Sequence, residues 1–402
     1  MTSEWHEVPL RELVGYISKG IAPSYAEEAS ETTIRVLNQK CNRNFRISYG
    51  DSRLHDTLKK KVPPERYVKP DDILINSTGA GTAGRIAQIE DVPSATTIDG
   101  HMILIRSNGK VTQKFLGYAL KAHQWEVLQL DEGSTGQTEL NRDRLLDEIM
   151  INYPVSFDEQ NAIVGTLESI DRKLIVNEQL NDNLEQQAQA IYHERFETVS
   201  PNDLPSDWRI VTLGEVATIS NKSFNPLKEP EILLEHYSIP AFDEARFPVF
   251  ELSTSIKSNK FIIDASCFMI SKLNPTTKRV WKPYCLTEDA VCSTEFIVYK
   301  AKDQAITDFL YSVIDSGSFS DFMCSHVTGS TGSRQRTTPA ETLSYKLILP
   351  SENELAEFQS LVSPMYAQMR INAIENDKLK RLRDSLLPKL MSGEIDVSAV
   401  QL

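Results

Sequence analysis

The chain has 402 residues, 40% apolar and 25% charged, with a formal net charge of −13. That is enough for two or three domains with cores of their own. It leaves no apolar run near the ~20 residues of a membrane span and none of the basic excess that nucleic-acid binders usually carry.

The charge is unevenly placed. Residues 1–155 carry 19 basic and 21 acidic side chains, and residues 156–200 carry 3 and 9. Residues 201–350 carry 15 and 18, and residues 351–402 carry 6 and 8. Nearly half of the excess negative charge therefore lies in one short segment. The start, Met1-Thr2-Ser3-Glu4-Trp5-His6-Glu7, lacks a basic region followed by an apolar stretch, so no secretory signal is expected. The five cysteines, Cys41, Cys267, Cys285, Cys292 and Cys324, are odd in number and lack C-x-x-C spacing. Free thiols in a reducing cytoplasm are expected, and no zinc site.

In chain order, Trp5 opens a segment W-x-x-V-x-L-x-E. Tyr67–Ile75 has the alternating β-branched character of a strand after the Pro70-Asp71-Asp72 turn, and Thr97–Arg106 reads as another. A short amphipathic helix is expected near Gln113–Leu128. Residues 158–197 contain no Pro and only Gly165. Ile163, Ile170, Leu184 and Ile191 share one heptad position with Asn177; Leu167, Leu174 and Ala188 share a second with Asn181. That is a coiled-coil seam.

The pattern then repeats. Trp208 opens W-x-x-V-x-L-x-E again, Phe268–Ile270 and Phe296–Tyr299 stand where the earlier strands stood, and a helix is expected near Ile306–Ser316. Gly133–Gly136 (GSTG) returns as Gly329–Gly332, Pro154 returns as Pro350, and Asn177 and Asn181 return as Asn372 and Asn376. The second seam carries Phe358, Met365, Leu379 and Leu386 with Asn372, and Val362, Met369 and Leu390 with Asn376. A period near 195 residues is too long for a solenoid and marks a duplicated domain. Residues 1–155 and 201–350 read as two mixed α/β domains, and residues 156–200 and 351–402 as two long helices. Because both copies place Asn at the same two levels, the simplest arrangement pairs these helices with each other.

Gly79-x-Gly81-x-x-Gly84 resembles a dinucleotide loop, but Arg85–Ile89 reads as another strand rather than a helix, and Lys272–Arg279 keeps no glycine at the matching place. A hairpin is the better reading. Among motifs, G-x-S-x-G, H-E-x-x-H and a Walker loop are missing, as is the Asn-Pro-Pro-aromatic tetrapeptide of amino-methyltransferases. No catalysis is expected from this chain. Candidate DNA contacts are Lys59, Lys60, Lys61 and Arg66, with Lys278, Arg279 and Lys282 as their rough counterpart beside Trp281. Thr78 and Arg85 flank the glycine hairpin. The GSTG loops add Ser134, Thr135, Gln137, Arg142 and Arg144 in the first half, and Ser330, Thr331, Arg334, Gln335 and Arg336 in the second. Small hydroxyl residues suit phosphate contact, while Arg and Gln reach base edges bidentately.

The chain resembles the specificity subunits of type I restriction–modification systems. The resemblance is carried by Pro154 followed by Asp158-Glu159-Gln160-x-x-Ile163 and by Leu167–Asp171-x-Lys173 with Asn177 and Asn181. It is carried further by Leu184-Glu185-x-x-Ala188-Gln189, by Leu386–Gly393 (LLPKLMSG), and by the domain starts at Trp5 and Leu204–Trp208. Ser351-Glu352-Asn353-Glu354 departs from the pattern in the second copy. The resemblance implies an α+β chain of two target-recognition domains, residues 1–155 and 201–350, each reading one half of a split double-stranded DNA site. The helices of residues 156–200 and 351–402 would pair as an antiparallel coiled coil and act as a ruler. It further implies a catalytically silent cytoplasmic protein that binds no cofactor itself. Two methyltransferase subunits would dock on the helices and bring S-adenosylmethionine, and two restriction or translocase subunits would bring Mg/ATP. A freestanding DNA-binding or scaffold protein without methyltransferase partners would carry the same duplication, and a small-molecule enzyme using the glycine loop is the more distant reading.

Overall fold

The computed structural model describes residues 4–79, 81–132, 139–328 and 335–397. Two compact units emerge: Met1–Lys173 with Lys380–Leu402, and Leu174–Leu379. The boundary falls inside both long helices, Phe157–Tyr192 and Glu352–Met391.

The first unit is built on a four-stranded sheet in the order Val14–Lys19, Met102–Ser107, Ile73–Asn76, Ile86–Gln88, all neighbours antiparallel. Its central strands are apolar on both faces because both faces are covered. Ile73, Ile75, Ile103 and Ile105 point into a core shared with Phe115 and Leu116 of helix Gln113–Ala122. Leu74, Met102 and Leu104 point into a second core with Leu37 and Cys41. Thr97–Arg106, expected as one strand, is two. Thr96–Ile98 pairs in parallel with Thr33–Leu37 in another sheet, and Met102–Ser107 enters the first. Asp99 Oδ1 accepts the His101 N–H at 2.9 Å and turns the chain between them, a side-chain turn that periodicity does not register.

The second unit repeats the first sheet strand for strand: Ala217–Ser220, Phe296–Ala301, Cys267–Ser271, Val280–Trp281. Phe268, Ile270, Ile297 and Tyr299 face one core, and Met269, Phe296 and Val298 the other. The other sheet diverges at its edges. Ala290–Ser293, Leu233–Tyr237 and Val249–Leu252 match Thr96–Ile98, Thr33–Leu37 and Arg53–Asp56 in order and direction. Lys260–Ile262 and Ser223–Phe224 then extend it, where the first unit has only the bridge Tyr67↔Thr97.

Each unit also contains helix-to-helix packing. In the first, Ile163, Val164 and Leu167 are buried with Leu387, Leu390 and Met391. In the second, Ala188, Tyr192 and Phe196 are buried with Phe358, Val362 and Tyr366. The pairing is antiparallel. Asn177 Nδ2 donates to Asn376 Oδ1 at 2.8 Å, and Asn372 Nδ2 donates to Asn181 Oδ1 at 2.8 Å. Each amide that would be costly to bury alone is thereby bonded, which fixes the register.

The motif Asp158-Glu159-Gln160 has a structural reason. Buried Gln160 accepts the Thr112 N–H at 2.8 Å and donates to the Pro154 carbonyl at 2.9 Å, tying helix Gln113–Ala122 to the long helix. The second copy has buried Leu355 there instead, so its departure from the motif trades two hydrogen bonds for apolar packing. Among the described residues, no helix is long and apolar enough to cross a membrane.

Candidate nucleic-acid interface

In the first unit, strand Ile73–Asn76 runs into Ser77 and Thr78 and then into the glycine turn. Gly79, Gly81 and Gly84 all have positive φ. A Cβ on Gly79 would stand 2.8 Å from Gln39 Oε1, and one on Gly84 would stand 2.9 Å from the Val127 carbonyl. Those positions require glycine for backbone conformation and close approach. The chain returns as strand Ile86–Gln88, so the loop is a hairpin and offers no helix N-terminus for a pyrophosphate.

Buried amides hold this edge in place. Asn42 Nδ2 donates to the Arg85 carbonyl at 2.8 Å and to Asn76 Oδ1 at 3.2 Å, and Asn76 Nδ2 donates to the Gln39 carbonyl at 3.2 Å. Thr78 Oγ1 lies 2.8 Å from His101 Nδ1 and 3.4 Å from Gln39 Oε1. The antiparallel pair Asp131–Glu132 and Glu139–Leu140 is anchored at the same point, through the bridge Thr78↔Glu139 and the bond from the Leu140 N–H to the Ser77 carbonyl. Arg85 is exposed and donates to the Gly81 carbonyl at 3.2 Å.

The lysine loop is tied to the same end. Lys60 Nζ donates to the Ala22 carbonyl at 2.8 Å, and Arg66 donates to the Gly20 carbonyl at 3.4 Å. The neighbouring Ile21 bridges to Asp99, two residues before His101. Buried His55 meets the Lys60 carbonyl at 2.7 Å. Lys59 stands 3.8 Å from Asp56, and Lys61 is exposed. Lys60, Arg66 and Arg85 thus have carbonyl partners that orient them without neutralising their charge. Helix Arg142–Glu148 follows the GSTG loop, with exposed Arg142 at its start and Arg144 paired to Glu148 at 2.6 Å.

The second unit keeps the scaffold and changes the charge. The bridge Leu273↔Arg336 replaces Thr78↔Glu139, and the Asn274 N–H bonds the Gln335 carbonyl at 2.9 Å. Arg336 pairs with Glu295 at 2.9 Å, Arg279 with Asp243 at 2.6 Å, Lys278 with Asp315 at 2.7 Å, and Lys282 with Asp308. Each of those cations therefore sits against a carboxylate. Burial pushes the Asp315 carboxyl up to about 6, against the pull of Lys278.

Lys278 and Arg279 lie in the counterpart of the glycine hairpin, since both connections join the third and fourth strands of equivalent sheets, and Lys282 follows the fourth strand, Val280–Trp281; they are not the counterpart of Lys59–Lys61. That counterpart is Ser253–Asn259, which contains exposed Lys257. Trp281 is a core residue, 3% exposed and packed edge-on to Tyr237. Ser134, Thr135, Gln137, Ser330, Thr331 and Arg334 lie outside the described residues. Gln39 and His101, brought against Thr78, were not singled out from sequence, because each is a lone polar residue in a turn and no motif marks it.

Comparison with known proteins agrees with this arrangement. Residues 2–186 match the type I restriction modification DNA specificity domain. The chain is 24% identical over 381 residues to the type I restriction enzyme MjaIX specificity subunit of Methanocaldococcus jannaschii, covering 87% of this chain and 83% of that protein. It is 30% identical over 93 residues to the type I restriction enzyme HindI specificity subunit of Haemophilus influenzae, covering 23% of this chain and 20% of that protein. Among solved structures, the S subunit of a type I restriction–modification system from M. genitalium superposes with a TM-score of 0.57 at 15% identity, covering 97% of this chain and 99% of that chain; the likeness is one of fold.

Proposed function

We propose, for a chain that belongs to the family of type I restriction–modification specificity subunits, that it is the DNA-recognition component of such a complex. Its two recognition domains, residues 1–155 and 201–350, read unlike halves of a split target, and residues 156–200 and 351–402 hold them at a set distance. One observation carries the reading. Equivalent sheets deliver their hairpins from the same strand ends, yet one hairpin is glycine-rich beside Thr78 and the other is Leu273–Arg279 with its cations paired to acids. A common scaffold with divergent tips is what two different half-sites require.

Recognition by such edges combines a salt-dependent phosphate contribution with base readout. In the first domain, Lys60, Arg66 and Arg85 supply positive charge to phosphates, while Gln39, Thr78 and His101 supply hydrogen-bonding groups at the hairpin base. In the second, Lys278, Arg279 and Arg336 exchange a carboxylate for a phosphate on binding, so that domain draws more of its affinity from partners. The protein acts in the cytoplasm and performs no chemistry itself. Two methyltransferase subunits dock on the acidic helices and bring S-adenosylmethionine; restriction subunits with Mg/ATP join that assembly.

The test is purification with the neighbouring gene products, followed by methylation-sensitive sequencing of the host genome. An asymmetric split motif with adenine modified in both parts is expected. A palindromic motif contradicts unlike half-sites, and purification without any methyltransferase favours the freestanding DNA-binding protein.

A further inference from the structure

The asparagine ladder fixes register, but it does not choose the partner helix. A duplicated chain always has a second solution, in which each long helix pairs with the same helix of another copy. At the observed antiparallel register, Asn177 would then meet Asn181 of the second copy, and the reverse. Those amides would be bonded as well as they are now, because both helices place Asn at the same two levels. The apolar seam positions would also match apolar ones. Discrimination has to come from a place where the two copies differ.

Such a place lies in the first unit. Val362, Met369, Asn376 and Leu390 recur at seven-residue intervals, and the remaining member of that series is Arg383. The equivalent position in the first helix is Ala188, wholly buried. The Arg383 side chain is only 14% exposed, and Nη1 donates to Asp171 Oδ1 at 3.0 Å. Asp171 also receives Lys121 Nζ at 3.0 Å and the Tyr118 hydroxyl at 2.9 Å on its other oxygen. Burial alone would raise the Asp171 carboxyl, yet Lys121 and Arg383 outweigh it and it titrates below its ordinary value. The equivalent of Asp171 in the second helix is Tyr366, whose hydroxyl meets Ser312 at 2.7 Å inside an apolar core that includes Ala188. One pairing position is therefore a buried charge cluster, and its symmetry mate is apolar.

We infer that the Asp171–Arg383 pair makes the two long helices of one chain accept each other and reject the like helix of a second copy. In a pairing of two first helices, Asp171 faces Ala188 and loses its arginine. In a pairing of two second helices, Arg383 faces Tyr366 and has no acid across the interface. Asp384, which also accepts from Arg383 at 2.8 Å, lies on the same helix and accompanies it in either pairing, so it does not discriminate. Asp171 keeps Lys121 and Arg383 keeps Asp384 in either pairing, but each gives up the buried ion pair it makes across the interface, and each like pairing creates that loss twice by symmetry. The apolar mate alone could not do this, because apolar seams interchange with little loss.

The test uses the full chain. Isotopically light and heavy copies are unfolded together, refolded by dilution, and analysed by native mass spectrometry for mixed dimers. Wild type is expected to refold to monomers with few mixed species. Arg383→Ala removes the difference between the two pairings and is expected to raise the mixed fraction at least tenfold, whereas Arg383→Lys keeps the charge and stays close to wild type. Should Arg383→Ala fail to fold, Asp171→Asn decides the matter; it keeps the shape and one acceptor oxygen, loses the charge and the second acceptor, and is expected to raise mixing in the same direction. Variants that refold as cleanly to monomers as wild type overturn the inference, as does a wild type that already mixes as freely as they do.

Discussion

At the scale of single residues, the buried and paired charges make the sharpest predictions. Asp315 is 1% exposed, and its carboxyl holds a proton in the folded chain to about pH 6, against an ordinary value of 3.8. An acid raised on folding lends stability that is complete below its unfolded value and is lost as pH rises through its folded value. That window runs from about 4 to 6 and is worth on the order of 3 kcal/mol. The stability of wild type relative to Asp315→Asn, read by chemical denaturation of the second unit, is therefore expected to fall by that amount between pH 4 and 7; parallel profiles for the two proteins would contradict the assignment. Salt titration of DNA binding tests the recognition cations. Lys60 bonds only a carbonyl among the described contacts, so Lys60→Ala in the assembled complex is expected to reduce the slope of log K against log salt by about 0.9. Lys278 is paired with Asp315 at 2.7 Å and would have to give up that pair to meet a phosphate, so Lys278→Ala is expected to change affinity less. Equal losses from the two substitutions would count against a masked second domain.

At the scale of elements, a few polar groups reinforce the apolar attachment of helices to sheets. Gln160 joins the start of helix Gln113–Ala122 to the end of strand Met150–Pro154. Gln160→Ala leaves a buried N–H and a buried carbonyl without partners and is expected to destabilise the first unit by about 1–3 kcal/mol, measured from the Trp5 fluorescence transition. The end of the second long helix is held in a similar way: Gly393 has φ +73°, and a Cβ there would stand 3.0 Å from the Trp5 ring. Gly393→Ala is expected to shift the same transition toward lower denaturant, because it adds both backbone strain and a clash. Unchanged transitions in both variants would mean that these contacts do not hold the unit together.

At the scale of the molecule, two recognition domains are useful only if their spacing is fixed. The helices between the Asp171–Arg383 level and the asparagine level are the natural place to change it. Seven residues added to both, after Lys173 and after Leu379, preserve the seam phase and lengthen each by about 10 Å. Since B-DNA rises about 3.4 Å per base pair, this corresponds to roughly three base pairs. The modified protein is expected to recognise the same half-sites across a spacer longer by that number, read from methylation of a library of spacers. An unchanged preference would remove the helices as the determinant of spacing. Four residues added between Ile191 and Leu204 alter only the second unit, where Tyr192 and Phe196 are already packed in the core, and are expected to leave the spacer unchanged.

The amino-acid sequence alone determined the duplication, the heptad seams and their asparagines, because these are periodicities that any reader of the chain can count. It also made a hairpin the better reading of Gly79–Gly84, since a strand pattern follows where a helix would be needed for a nucleotide. Tertiary structure decided the rest, for reasons of distance. Gln39, Thr78 and His101 are far apart in sequence and meet only because three turns converge at the end of one sheet. The carboxylates that mask Arg279, Lys282 and Arg336 come from elements 26 to 41 residues away, so a count of basic residues could not tell an available charge from a paired one. Asp171 and Arg383 are each unremarkable in a charged helix, and their shared burial appears only when the helices run antiparallel at a register that the asparagines set. Local pattern fixes which elements form; which side chains face one another depends on contacts across hundreds of residues, and those contacts decide where charge is buried, paired or available.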